Sequence, residues 1–99
     1  MISIEEWRDA GTFIELGGQR MFYRREGRGP ALLLVHGYPT SSWDWASLWP
    51  ELTAHYDVIA LDMLGFGESA KPRGHRYSLV EQADLQLALL DTLQARLNR

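Results

Sequence analysis

No cysteine occurs among the 99 residues, which excludes disulfide frameworks, thiolate metal sites and cysteine nucleophiles together. The redox compartment is left open by this, with a reducing cytoplasm as the default expectation. No run approaches the roughly 18 apolar residues of a membrane span, and the acidic start MISIEEWRD lacks the basic and apolar regions of a signal peptide. A soluble protein with no membrane partner is expected. Lys and Arg are scattered and the net charge is −3, so there is no basic stripe to neutralise a phosphate backbone and no nucleic-acid partner is expected. His36, His55 and His75 fall at spacings that match no metal-ligand pattern, and the last two read as exposed.

What is present fits one small α/β domain over residues 1–99. A hydrophobic content of 45% with four tryptophans is enough for a packed core, and the length leaves no room for a second one. Thr12–Leu16 and Arg20–Arg25, separated by Gly17-Gly18, read as an antiparallel hairpin. Ala31–Val35 and Asp57–Leu61 are short continuous apolar runs bounded by turn residues, the pattern of strands buried on both faces. Between them Ser41 or Ser42 can cap a helix over about 42–53, with Trp45, Leu48, Trp49 and Leu52 on one face and Pro50 shortening or kinking it. A last helix is expected over about 78–97. Ser78 and Glu81 form its capping box, and Leu79, Ala83, Leu87, Leu90 and Leu97 form its apolar stripe, widened by Val80, Leu89 and Leu93.

Two glycine-bearing loops follow the two apolar strands: His36-Gly37-Tyr38-Pro39, and Asp62-Met63-Leu64-Gly65-Phe66-Gly67-Glu68-Ser69. Ligands in open α/β sheets bind outside the carboxyl ends of strands, where glycine lets the backbone come close. Two readings of the second loop compete. Gly65-x-Gly67-x-x-Ala70 imitates a dinucleotide fingerprint, but Lys71-Pro72-Arg73-Gly74 continues as loop where a phosphate needs a helix N-terminus. Ser69 imitates a nucleophile elbow, yet the residues after it contain proline and begin no helix. For Asp62 and Ser69, plain turn chemistry stands beside a contribution to a site. Trp43 is a candidate pocket wall, while Trp45 and Trp49 read as helix packing.

The two motifs in order, each after an apolar strand, resemble the N-terminal part of α/β-hydrolase-fold enzymes, in the branch of epoxide hydrolases, haloalkane dehalogenases and mesoderm-specific transcript proteins. The likeness extends from about Phe13 to Leu93. It implies a β-hairpin followed by a βαβ unit and a C-terminal helix, forming an incomplete sheet. It implies further that the Tyr38 backbone N–H is an oxyanion-hole donor, with His36, Gly37 and Pro39 orienting that loop and Asp62, Gly65, Gly67 and Ser69 shaping the neighbouring one. No cofactor and no metal follow from it, and the substrate of the complete enzyme would be a small molecule. Dehalogenases of this branch carry asparagine where Tyr38 stands, which points to an ester or epoxide instead.

The resemblance places the nucleophile, the acid and the catalytic histidine after residue 99. Neither Gly-x-Ser-x-Gly nor Gly-x-Asp-x-Gly occurs in the sequence. The chain alone is therefore expected to be inactive, because a triad loses most of its rate with one member removed. The implied sheet order also leaves one edge of Ala31–Val35 unpaired and apolar, a route to self-association. A noncatalytic assembly module using that edge is the alternative function, and a nucleotide-binding βαβ unit is a further one.

Overall fold

The computed structural model describes residues 2–37 and 40–94. Four strands form one mixed sheet in the order β1-β2-β4-β3, with β1 at Thr12–Leu16, β2 at Gln19–Glu26, β3 at Ala31–Val35 and β4 at Asp57–Leu61. β1 and β2 are the expected hairpin. Gly17 and Gly18 both take positive φ (56° and 78°), the conformation that a two-residue hairpin turn demands of its central positions. β2 runs one residue further at each end than Arg20–Arg25, and Tyr23 pairs antiparallel with Leu61 of β4. β3 pairs parallel with β4, Leu33 opposite Ile59.

β4 is the central strand, and Val58 through Leu61 are all buried. β3 corrects the expectation of a strand buried on both faces. It is half-buried and its Val35 is 46% exposed, because among the described residues it borders β4 alone.

Successive residues of β4 feed two separate cores, as strand alternation requires. Ile59 and Leu61 join Leu16, Met21 and Leu64 beneath the helix α3 (Leu79–Thr92), which contributes Leu85, Leu89 and Leu90. The predicted stripe of α3 is corrected: Leu79, Val80, Ala83 and Leu87 are exposed and Gln82 is buried. The cause is tertiary, since the Gln82 side-chain amide accepts from Leu64 N–H at 3.1 Å and donates to Leu64 C=O at 2.9 Å, turning its own face inward. The Ser78 hydroxyl caps α3 as expected, but the capping box is corrected: the Glu81 carboxylate turns to His75 and not back to the Ser78 N–H, and Leu97 lies outside the described residues.

Val58 and Ala60 face the other way, into a cluster of Trp7, Phe22, Ala46 and Trp49 with Trp43, Trp45 and Leu52 packed around it. Trp7 belongs to a helix absent from the sequence reading, α1 (Ile4–Asp9), although Ser3 and Glu6 carried its signal: Ser3 Oγ accepts from Glu6 N–H and the Glu6 carboxylate accepts from Ser3 N–H. The single helix expected over 42–53 is instead a 3₁₀ turn at Ser42–Trp45 and a separate short helix, α2 (Trp49–Thr53). Pro50 has no N–H to offer the Ala46 carbonyl, so it is accommodated in the first turn of a new helix and not inside a continuous one. Leu48, expected on the buried face, is 46% exposed as a result.

Arg24 of β2 is 5% exposed beneath this cluster, its guanidinium 4.4 Å from the Trp7 ring and 5.0 Å from the Trp49 ring, with Nη2 donating to Glu26 at 2.9 Å. Burial pushes its pKa below the ordinary arginine value, and the Glu26 carboxylate opposes that shift. Among the described residues no helix is long and apolar enough to cross a membrane.

Candidate functional site

Because β3 and β4 are parallel, they release the chain at the same end of the sheet, and the loops beginning at His36 and Asp62 emerge side by side. His36 is 3% exposed and links them. Its Nε2 lies 2.9 Å from Met63 N–H and its Nδ1 lies 2.8 Å from the Gly37 carbonyl oxygen. An amide donates and a carbonyl accepts, so these partners assign the proton to Nδ1 and make the ring neutral, with both nitrogens engaged. Nothing is left on the imidazole to carry a proton elsewhere. The Phe66 ring packs edge-on against it with centroids 5.6 Å apart.

Asp62 makes a second link. Its Oδ1 accepts from Ser42 N–H at 2.7 Å, at the start of the 3₁₀ turn, and its Oδ2 accepts from Glu68 N–H at 2.7 Å. The side chain is buried at 2% exposure, where charge-assisted bonds are short and strong. Ser69 is equally buried, and its hydroxyl donates to Asp62 C=O at 2.6 Å while accepting from Phe22 N–H at 2.9 Å. The hydroxyl is therefore a brace between this loop and β2. Gly67 has φ +53°, and a Cβ there would run into the Asp62 carboxylate. Gly65 has φ +91°, with the Tyr77 ring 2.8 Å from where a Cβ would sit. Both positions require glycine on conformation and on space.

The Gly37 carbonyl accepts from three donors: His36 Nδ1–H, Thr40 N–H at 3.1 Å and Thr40 Oγ1–H at 2.9 Å. Apart from its chain neighbours, no described residue has an atom within 4 Å of where a Gly37 Cβ would be. Tyr38 and Pro39 lie outside the described residues. Trp43 is directed to the tryptophan cluster, its Nε1 donating to Ile2 C=O at 3.2 Å.

A cavity of about 690 Å³ adjoins Phe66, and Met63, Gly65, Tyr77, Leu79 and Gln82 also line it. This is the size of a small-molecule site. Neither Tyr77 nor Gln82 was singled out in the sequence, and no local signal marks a lone glutamine in an apolar helix as inward-facing. His75, read as exposed, is half-buried: its Nε2 lies 2.7 Å and 2.9 Å from the two Glu81 carboxylate oxygens, and Tyr77 packs on its ring. α3 begins only at Leu79, so Gly65 and Gly67 do not lead directly into a helix as a dinucleotide fingerprint requires.

The family model for the alpha/beta hydrolase fold matches residues 30–96. The human mesoderm-specific transcript homolog protein is 45% identical over 93 residues, covering 89% of this chain and 28% of that protein. A haloalkane dehalogenase of Sphingobium indicum is 42% identical over 84 residues, covering 82% of this chain and 28% of that enzyme. Among solved structures, an alpha/beta hydrolase fold protein from Burkholderia ambifaria superposes with a TM-score of 0.81 at 37% identity, over 88% of this chain and 32% of that one. The chain spans under a third of the length of each of these relatives. With a family match across more than half of the residues, and a mixed sheet that superposes on part of a solved member, the chain belongs to the alpha/beta hydrolase fold family and forms the N-terminal portion of that fold.

Proposed function

We propose that this chain supplies one half of the oxyanion hole of an ester or epoxide hydrolase, through the backbone N–H of Tyr38, and carries no nucleophile, acid or catalytic histidine. The observation that carries this reading is the triple capture of the Gly37 carbonyl by His36 and Thr40. Three bonds to the Gly37 carbonyl hold the backbone at the start of this loop, which supports a fixed donor there. Such a donor needs no reorganisation when negative charge develops on a substrate oxygen, which is the basis of oxyanion stabilisation. His36 and Asp62 act as positioning residues for that loop. The cavity beside Phe66 supplies an apolar place for the non-reacting part of a small substrate.

The reading of inactivity is supported by the chemistry of the remaining candidates. Ser69 is buried with its hydroxyl engaged as donor and acceptor, and both nitrogens of His36 are in use. Ester and epoxide substrates are favoured over haloalkanes because Tyr38 stands where dehalogenases of the branch carry asparagine. One experiment has two arms. p-Nitrophenyl acetate and styrene oxide should show no turnover above background, and methylphosphonate, a tetrahedral oxyanion, should shift the Tyr38 amide resonance saturably. Robust turnover abolished by Ser69→Ala would overturn the first claim, and an unmoved Tyr38 amide the second.

A further inference from the structure

We propose that Gln82 is a positioning residue for the oxyanion loop, acting from α3 through the Leu64 backbone and the Met63 amide on the His36 ring. The link from Gln82 to His36 stands on its own contacts, and its consequence for the Tyr38 amide rests on the reading given above. The three peptide groups between Asp62 and Gly65 have every donor and acceptor engaged. In the first, the Asp62 carbonyl accepts from Ser69 Oγ–H at 2.6 Å and the Met63 amide donates to His36 Nε2 at 2.9 Å. In the second, the Met63 carbonyl accepts from Phe66 N–H at 2.9 Å and the Leu64 amide donates to Gln82 Oε1 at 3.1 Å. In the third, the Leu64 carbonyl accepts from Gln82 Nε2 at 2.9 Å and the Gly65 amide donates to the Ala70 carbonyl at 2.8 Å. Gln82 thus holds the second and third groups, and the first is the one whose N–H meets the imidazole.

Leu64 is fully buried and Gln82 nearly so, which leaves water no easy place to substitute for the lost side-chain amide. The orphaned Leu64 N–H and C=O regain partners only if the backbone between Asp62 and Gly65 moves, and that backbone carries the Met63 N–H. The imidazole registers such a movement because its two bonds have opposite sense: Nε2 accepts from Met63, and Nδ1 donates to the Gly37 carbonyl. Which ring nitrogen is protonated is set by the bond that the other makes, so the Met63 amide keeps the proton on Nδ1. Nδ1–H is in turn one of the three donors that hold the Gly37 carbonyl. Glutamine suits position 82 because a single planar amide offers both the acceptor and the donor that Leu64 needs, which neither an apolar side chain nor a carboxylate does.

NMR on the full chain tests this, with the imidazole nitrogen resonances of His36 as the main readout. Wild type should show a single pattern with the proton on Nδ1, and its Met63 and Leu64 amides should exchange in step as denaturant is added, because one opening releases both. Gln82→Met keeps the length and removes the hydrogen bonds. It should turn the His36 pattern into a mixture of tautomers, speed Met63 exchange about tenfold relative to the β4 amides, and weaken the response of the Tyr38 amide to methylphosphonate. Leu85→Ala, which removes core packing from the same helix, should lower stability without moving the His36 pattern. The proposal is overturned by an Nε2-protonated ring in wild type, by separate openings for Met63 and Leu64, or by an unmoved His36 pattern in folded Gln82→Met. The first two are read on wild type and hold even if the variant does not fold. A wild-type Tyr38 amide that ignores methylphosphonate, while His36 responds to Gln82→Met, would overturn the oxyanion reading and uphold the link to His36.

Discussion

The tryptophan-lined face of β4 and the loop that leaves its end are built on different principles. The tryptophan face, with Trp7, Phe22 and Trp49 against Val58 and Ala60, is held by area and shape; the loop end, with His36, Asp62 and Ser69, is held by directed hydrogen bonds to backbone amides. The first resists deformation because its interior is close-packed, and moderate changes of shape are spread over many contacts. The second concentrates its strength in a few atoms. A buried acceptor removed there leaves amides with no partner, which costs more than the bond contributed. Fixed geometry of this second kind is what the proposed oxyanion donor requires.

Trp49→Ala should produce the largest effect, about 3–5 kcal/mol of lost stability, because it empties a buried site shared by Trp7 and Arg24. Chemical denaturation measures it, and the loss should be global, with all core amides losing exchange protection together. Asp62→Asn keeps the shape and removes the charge, and it forces an NH₂ group towards one of two amide donors. We expect a cost of about 2 kcal/mol, with hydrogen exchange accelerating first at Ser42 and Glu68. If exchange at those two amides did not separate from the rest of the chain, the distinction between the two regions would fail.

Arg25 gives the smallest effect. It forms a two-point bridge to Asp57, at 3.0 Å and 2.8 Å, and donates to the Leu93 carbonyl at 3.2 Å. The hydrogen bond to Asp57 raises the arginine pKa above its ordinary value. A raised folded pKa adds stability that is complete below the unfolded value and fades only as pH climbs through the arginine range, so no dependence arises near neutrality. The pair is partly solvated, and Arg25→Ala should cost about 0.5 kcal/mol by thermal denaturation, less at high salt. A larger cost would mean that the link to the end of α3 matters more than surface charge does.

Several features were legible from residues because their causes are local. The Gly17-Gly18 hairpin, the Ser78 cap and the two apolar strands each depend on the conformational preferences of a few neighbouring residues. The Ser3-x-x-Glu6 box that caps α1 is equally local. The inward turn of Gln82 and the half-buried state of His75 had no such signal, since their partners sit on other elements or across a turn. The broken helix over 42–53 lies between these cases: Pro50 announced an interruption, but whether it would kink one helix or divide it was set by packing against β4.

By itself, then, the order of residues determined where strands and turns begin, and that glycine is needed at Gly65 and Gly67. Those outcomes follow from dihedral preference, side-chain alternation and the placement of polar and apolar residues within a few positions. Tertiary structure alone decided which helix face turned inward, how His36 is protonated, and that Asp62 and Ser69 brace the loop against Ser42 and Phe22. Each of these depends on a hydrogen bond between residues far apart in the chain, and a buried donor or acceptor finds its partner only after the sheet has brought the two together.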